Sequence, residues 1–151
     1  MIRVSGIAVL LSALGLLSMP TYASVSSEQS IRVLSAWTRP TPPGISMAVG
    51  YLTIENHRQQ PVTLSSVSSP WAHHVEVHES RMEAGMVHMG AMQLQIGAGE
   101  SVHLRPGGLH LMLMDLTQPL RLGQAVPVRL SFSDGQTISA TLVVRADADR
   151  P

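Results

Sequence analysis

Cysteine is absent from all 151 residues, and several kinds of protein are excluded with it. No thiol can run disulfide exchange. The thiolate that a blue-copper electron-transfer site requires is missing, and so is a cysteine to carry a lipid anchor. Lysine is absent too: ten arginines balance ten carboxylates, so the net charge is zero with neutral histidine, which leaves no basic surface for a nucleic acid. Apolar residues after the N-terminus show no convincing helical period. No nucleophile–base pair and no pair of acids can be placed together, so catalysis is the least supported class and the protein is read as no enzyme.

What is present begins with an exported N-terminus. Arg3, an apolar run at residues 7–17 and the small-flanked Thr21-Tyr22-Ala23 form the three parts of a secretory signal peptide, with cleavage expected after Ala23. The run is too short to span a bilayer comfortably. No stable membrane insertion is expected after cleavage. Residues 24–151 then suit one domain with a single core, its core at about 31–144 and a polar tail at 145–151. A periplasmic monomer is expected.

Along that domain the segments are short, alternating and bounded by Gly, Pro or Asn. Strands are predicted at 31–37, 47–55 and 62–68, in an alternating stretch ending at His78, at 86–89, 92–96, 101–104, 109–116, 126–132 and 137–144. Ser133-Asp134-Gly135-Gln136 between two alternating runs signals a hairpin. About nine short strands with frequent turns predict an all-β antiparallel sandwich or small barrel. Met47, Trp37 and Trp71 are expected to pack, with Trp71 near enough in sequence to cover one side of a site at His78.

Residues 78–114 hold six of the nine methionines and four of the seven histidines. Thioether sulfur and imidazole nitrogen together are donors for soft Cu(I), and poor ones for Mg²⁺ or Ca²⁺. Strand parity turns His110 and Met112 to one face and Leu109, Leu111 and Leu113 to the other. Their Cα atoms lie roughly 6.6 Å apart, a gap that a flexible methionine can close around one ion. His78 at the end of its strand and Met89, across a loop containing Gly85, would present a second pair at the barrel mouth. Taken singly, each of these residues is better explained by packing or solvation. Together they form a two-His two-Met set of four neutral donors, suited to a monovalent ion. Met114 shares the parity of Met112; Met86, His88 and Met92 are further auxiliary candidates. His57, His73, His74 and His103 are expected in solvent.

The spacing resembles the PCu(A)C family of periplasmic copper chaperones. His78, ten residues, Met89, twenty residues, then His110-Leu111-Met112 stand where that family has its motif, with the second gap one residue short. The surrounding V-E-V-H-E, G-M-V-H-M, I-G-A-G-E and P-G-G-L-H-L-M-L-M-D-L are similar as well. The resemblance implies a cupredoxin-like Greek-key β-barrel binding one Cu(I) through His78, Met89, His110 and Met112. It also implies delivery to the copper centres of cytochrome c oxidase, with a copper-accepting oxidase subunit or another copper chaperone as partner. Some relatives carry a His- and Met-rich tail for Cu(II); this tail has neither residue. Two alternatives remain open to the residues alone: a periplasmic copper storage or resistance protein, and a metal-free β-sandwich binding module.

Overall fold

Alternation of apolar and polar residues sets the fold strand by strand. The computed structural model describes residues 30–83 and 86–146, with 81–83 and 86–89 through their backbone alone. The expected signal peptide and the tail from 147 onward lie outside the described residues. Ten strands are described: β1 (Ile31–Thr38), β2 (Ala48–Asn56), β3 (Val62–Ser69), β4 (Ala72–Glu83), β5 (Met86–Ala91), β6 (Leu94–Ile96), β7 (Ser101–Leu104), β8 (Leu109–Leu116), β9 (Ala125–Phe132) and β10 (Thr137–Val144). There is no helix among the described residues, so none is long and apolar enough to cross a membrane.

Seven strands close a barrel in the order β4-β8-β2-β1-β10-β9-β3, with β3 pairing back to β4. Strand β5 extends β4 at one edge, β6 extends β3 at another, and β7 lies beside β2. The all-β class and the barrel agree with the sequence reading. One pairing is parallel rather than antiparallel: β1 beside β10, with Trp37 opposite Val143. Every second residue of β9 (Val126, Val128, Leu130, Phe132) is buried, as period-two alternation requires. The β9–β10 turn closes with the Phe132 N–H donating to the Gln136 carbonyl at 2.9 Å, and Gly135 supplies the positive φ of 85° that the turn needs.

Three departures from the sequence reading bear on the site. Strand β4 does not stop at His78 but runs twelve residues to Glu83; E-S-R-M-E contains no Gly, Pro, Asn or Asp to break it. In β1 the register with β2 slips by one between Leu34 and Trp37, where Ser35 takes a φ of 50°. Such a bulge reverses the facing of the residues after it, so Trp37 leaves the core side and meets Tyr51, ring centroids 4.5 Å apart. Arg145 sits over that Trp37 ring at 4.8 Å.

The third departure is Met47, expected in the core and in fact 49% exposed. The inward set of β2 is Ala48, Gly50, Leu52 and Ile54. A Cβ on Gly50 would stand 3.0 Å from Leu142 Cδ1 and 3.4 Å from Leu111 Cβ, so the barrel wall admits only a small residue there. The larger Met47 and Val49 take the outer side.

Candidate metal centre

Strand β8 is the support of the site. Leu111 and Leu113 are fully buried and fix its inner face. Parity then turns His110, Met112 and Met114 outward. Strand β4 runs antiparallel beside it, with His78 opposite His110, Glu76 opposite Met112 and His74 opposite Met114. Directly paired residues share a face and hold their Cβ atoms about 4.5–5.5 Å apart. Two histidines separated by thirty-one residues of chain therefore become neighbours through register alone.

Their rings lie 6.0 Å apart, centroid to centroid, and are tilted by 51°. With a metal–nitrogen bond of about 2.0 Å, two imidazoles on one ion have centroids at most roughly 6 Å apart. The pair thus stands near the upper limit for sharing one ion, and the two rings would rotate and draw closer around a four-coordinate one. His110 is 4% exposed, and the His78 side chain 16%.

Each ring is held by one outer partner, and the two partners differ. Glu76 Oε2 lies 2.9 Å from His78 Nε2. A carboxylate can only accept, so Nε2 carries the proton and the Nδ1 lone pair is left free. For His110 the partner is the Gly108 carbonyl, 2.9 Å from Nδ1, which leaves Nε2 free. That carbonyl also accepts from the Ser80 N–H at 3.2 Å, tying β4 to the turn before β8. The turn itself, Arg105-Pro106-Gly107-Gly108, depends on Gly107 at a φ of 80°. On the neighbouring strand Val49 pairs with Met112, and the outward Tyr51 comes next along it. Burial pushes the Tyr51 hydroxyl above its ordinary pKa, against the pull of nearby Arg39.

The fourth expected donor comes from β5. The β4–β5 ladder pairs His78 with Ala91 and Ser80 with Met89, so the backbone position of Met89 has the parity of His78. Its side chain, with those of Met86 and His88, lies outside the described residues. His88 pairs with Arg81 and so has the opposite parity. Met92 is one residue out of step with Ala91. It lines a groove of about 340 Å³ with Leu64, Val67, Val75 and Val77. His78, His110 and Met112 thus occupy outward positions on β4 and β8, and the backbone position of Met89 on the adjoining β5 shares the parity of His78. Trp71 packs against the core. His103 meets Thr53 at 3.0 Å and His57 meets Glu55 at 2.9 Å, both on the surface.

Among the described residues no three His, Asp or Glu side chains form a metal-binding group. Met112 adds a thioether position on the same outward face of β8 as His110. Glu76, whose carboxylate meets the His78 ring, is a residue that the sequence reading leaves out of the candidate site. Its signal lies in the alternation of V-E-V-H, which puts it on the same strand face as His78.

A family model described as "Putative lipoprotein LpqE-like" matches residues 31–144, most of the chain. The chain belongs to the LpqE-like family. "Putative lipoprotein Lxx21020" from Leifsonia xyli subsp. xyli is 31% identical over 84% of this chain and 78% of its own length. Unlike a protein lipidated through cysteine, the 151 residues here contain none. Among solved structures, the apo PCuAC domain from PmoF1 superposes with a TM-score of 0.68 at 19% identity, over 78% of this chain and 95% of that one. The solution structure of CuI-DR1885 from Deinococcus radiodurans gives 0.62 at 28% identity, over 83% and 86%. The fold of this LpqE-like chain is that of the PCuAC domains, the family its motif resembles.

Proposed function

We propose that this LpqE-like protein is an exported, periplasmic Cu(I) carrier. It holds one tightly bound ion between His78 Nδ1, His110 Nε2 and the thioethers of Met112 and Met89, and yields it to a copper-accepting protein, such as an oxidase subunit or another copper chaperone. The observation that carries this reading is the His78–His110 register pair, 6.0 Å between ring centroids, with Met112 one outward position along β8. The Deinococcus relative solved with Cu(I) supports it.

The donor set accounts for both halves of a carrier's task. Imidazole and thioether favour Cu(I) and add no negative charge, so the site retains the soft ion. An outer-face position lets an incoming ligand approach from the solvent side and replace one donor at a time. Saturating Cu(I) should raise Tm, since a ligand of the native state alone stabilises by about 2.7 kcal/mol at one hundred times Kd. Differential scanning fluorimetry under anaerobic conditions reads this, and an unchanged Tm would favour the metal-free binding module.

Glu76 is a positioning residue in this reading. Removing an outer partner of a metal-bound histidine costs roughly 10–100-fold in affinity, and Glu76→Ala should lose that much for Cu(I). Glu76→Gln keeps an acceptor oxygen and should recover most of it. Long-range ¹H–¹⁵N spectra of the metal-free protein should show His78 protonated on Nε2 in the parent and a mixture in Glu76→Ala. Identical His78 spectra in the two would remove Glu76 from the account.

A further inference from the structure

The outer face does not run out of soft donors at Met112. One outward position further along β8, roughly 6.6 Å on, stands Met114, half-buried, with His74 as its direct partner on β4. His74 is exposed. From the other side comes Met47, 49% exposed. Ala48 is opposite Leu113 and the Leu116 N–H donates to the Ser46 carbonyl at 2.9 Å, so Met47 lies between, opposite Met114 and Asp115. The two registers differ by one residue, and Asp115 at that point takes a φ of 53°. A non-glycine residue in this region is strained, and strain of this kind gathers where a side chain is being re-aimed.

We propose that His74, Met114 and Met47 form a second, weaker Cu(I) site on the same face, one step along β8 from the first. The chemistry is that of the donors: one imidazole and two thioethers, neutral and soft, on adjacent strands whose paired Cβ atoms stand about 4.5–5.5 Å apart. The site has one donor fewer than the first and stands open to water, so it holds its ion less firmly and exchanges it faster. An ion leaving Met112 finds the next thioether on the same strand, which makes this the outer station of a two-step path. The inference goes beyond the carrier reading and requires no particular recipient.

The test is an anaerobic Cu(I) titration of the full chain labelled with ¹³C at the methionine methyls, followed by NMR, with Ag(I) as a redox-inert parallel probe. The first equivalent should shift Met112 and the His110 ring. The second should shift Met114, Met47 and the His74 ring, with an affinity weaker by on the order of tenfold or more, as expected for fewer and more solvated donors. Met47→Leu and His74→Ala, which alter no residue of the first set, should erase the second phase and leave the first. The proposal is overturned if Met47 and His74 stay unmoved through two equivalents, or if they shift together with Met112 at the first. A failure of the carrier reading is distinguishable, because His110 and Met112 would then be silent at the first equivalent.

Discussion

Replacing His110 and Met112 together with alanine is expected to abolish Cu(I) retention while leaving the barrel folded. Each is a direct donor in the proposed site, so each should cost more than the roughly 10–100-fold lost with an outer partner alone. Competition against a chromophoric Cu(I) chelator should therefore show the double variant weaker by more than about 10³-fold. Both side chains point outward from β8, and away from buried Leu111 and Leu113. The loss of apo stability should be roughly 2 kcal/mol, about 1 kcal/mol for each of the two substitutions. A double variant that holds copper like the parent would remove these two residues from the site.

The complementary result is expected from Leu111→Ala, the residue between them. Leu111 is 0% exposed, and its Cβ lies within contact distance of where a Cβ on Gly50 would be. Truncation removes buried methyl groups and leaves a cavity, at a cost of about 2–5 kcal/mol, or on the order of 10 °C in Tm for a domain of this size. The folded fraction should keep Cu(I) affinity close to that of the parent, because the substitution acts on the inner face. Thermal melts and chelator competition on the two variants thus give opposite patterns. A Leu111→Ala protein with parental Tm would mean that β8 is not anchored through this residue.

The split between those variants comes from strand parity, and parity is legible in the sequence. H-L-M-L-M-D-L alternates so cleanly that the facing of His110 and Met112 needs no coordinates. What the residues alone do not give is the partner across the ladder. Register between β4 and β8 is set by strands about thirty residues apart, and nothing local to V-E-V-H states that His78 pairs with His110 rather than a neighbour. The family motif supplies that association. The structure supplies its geometry and adds Glu76 and the Gly108 carbonyl as the groups that orient the two rings.

Other departures have the same physical origin. M-A-V-G-Y-L-T-I-E invites the larger residues inward, which would put Met47 in the core. The crowding of Gly50 by Leu142 and Leu111 reverses the choice, and crowding is a long-range property. Trp37 packs as expected, but on the outer face against Tyr51, because of a one-residue bulge at Ser35 for which the sequence carries no glycine or proline marker. A β4 that ended at His78 would place the site at a barrel mouth. The continuation of β4 to Glu83 and its hairpin with β5 instead leave the His78–His110 pair within the β4–β8 ladder.

X-ray absorption at the copper edge of the protein loaded with one equivalent of Cu(I) tests the convergence of the four donors most directly. Two nitrogen scatterers at about 2.0 Å and two sulfur scatterers at about 2.3 Å, bond lengths like those known for zinc, are the expected result. A shell of nitrogen or oxygen alone, with no sulfur contribution, would contradict a site completed by Met89 and Met112.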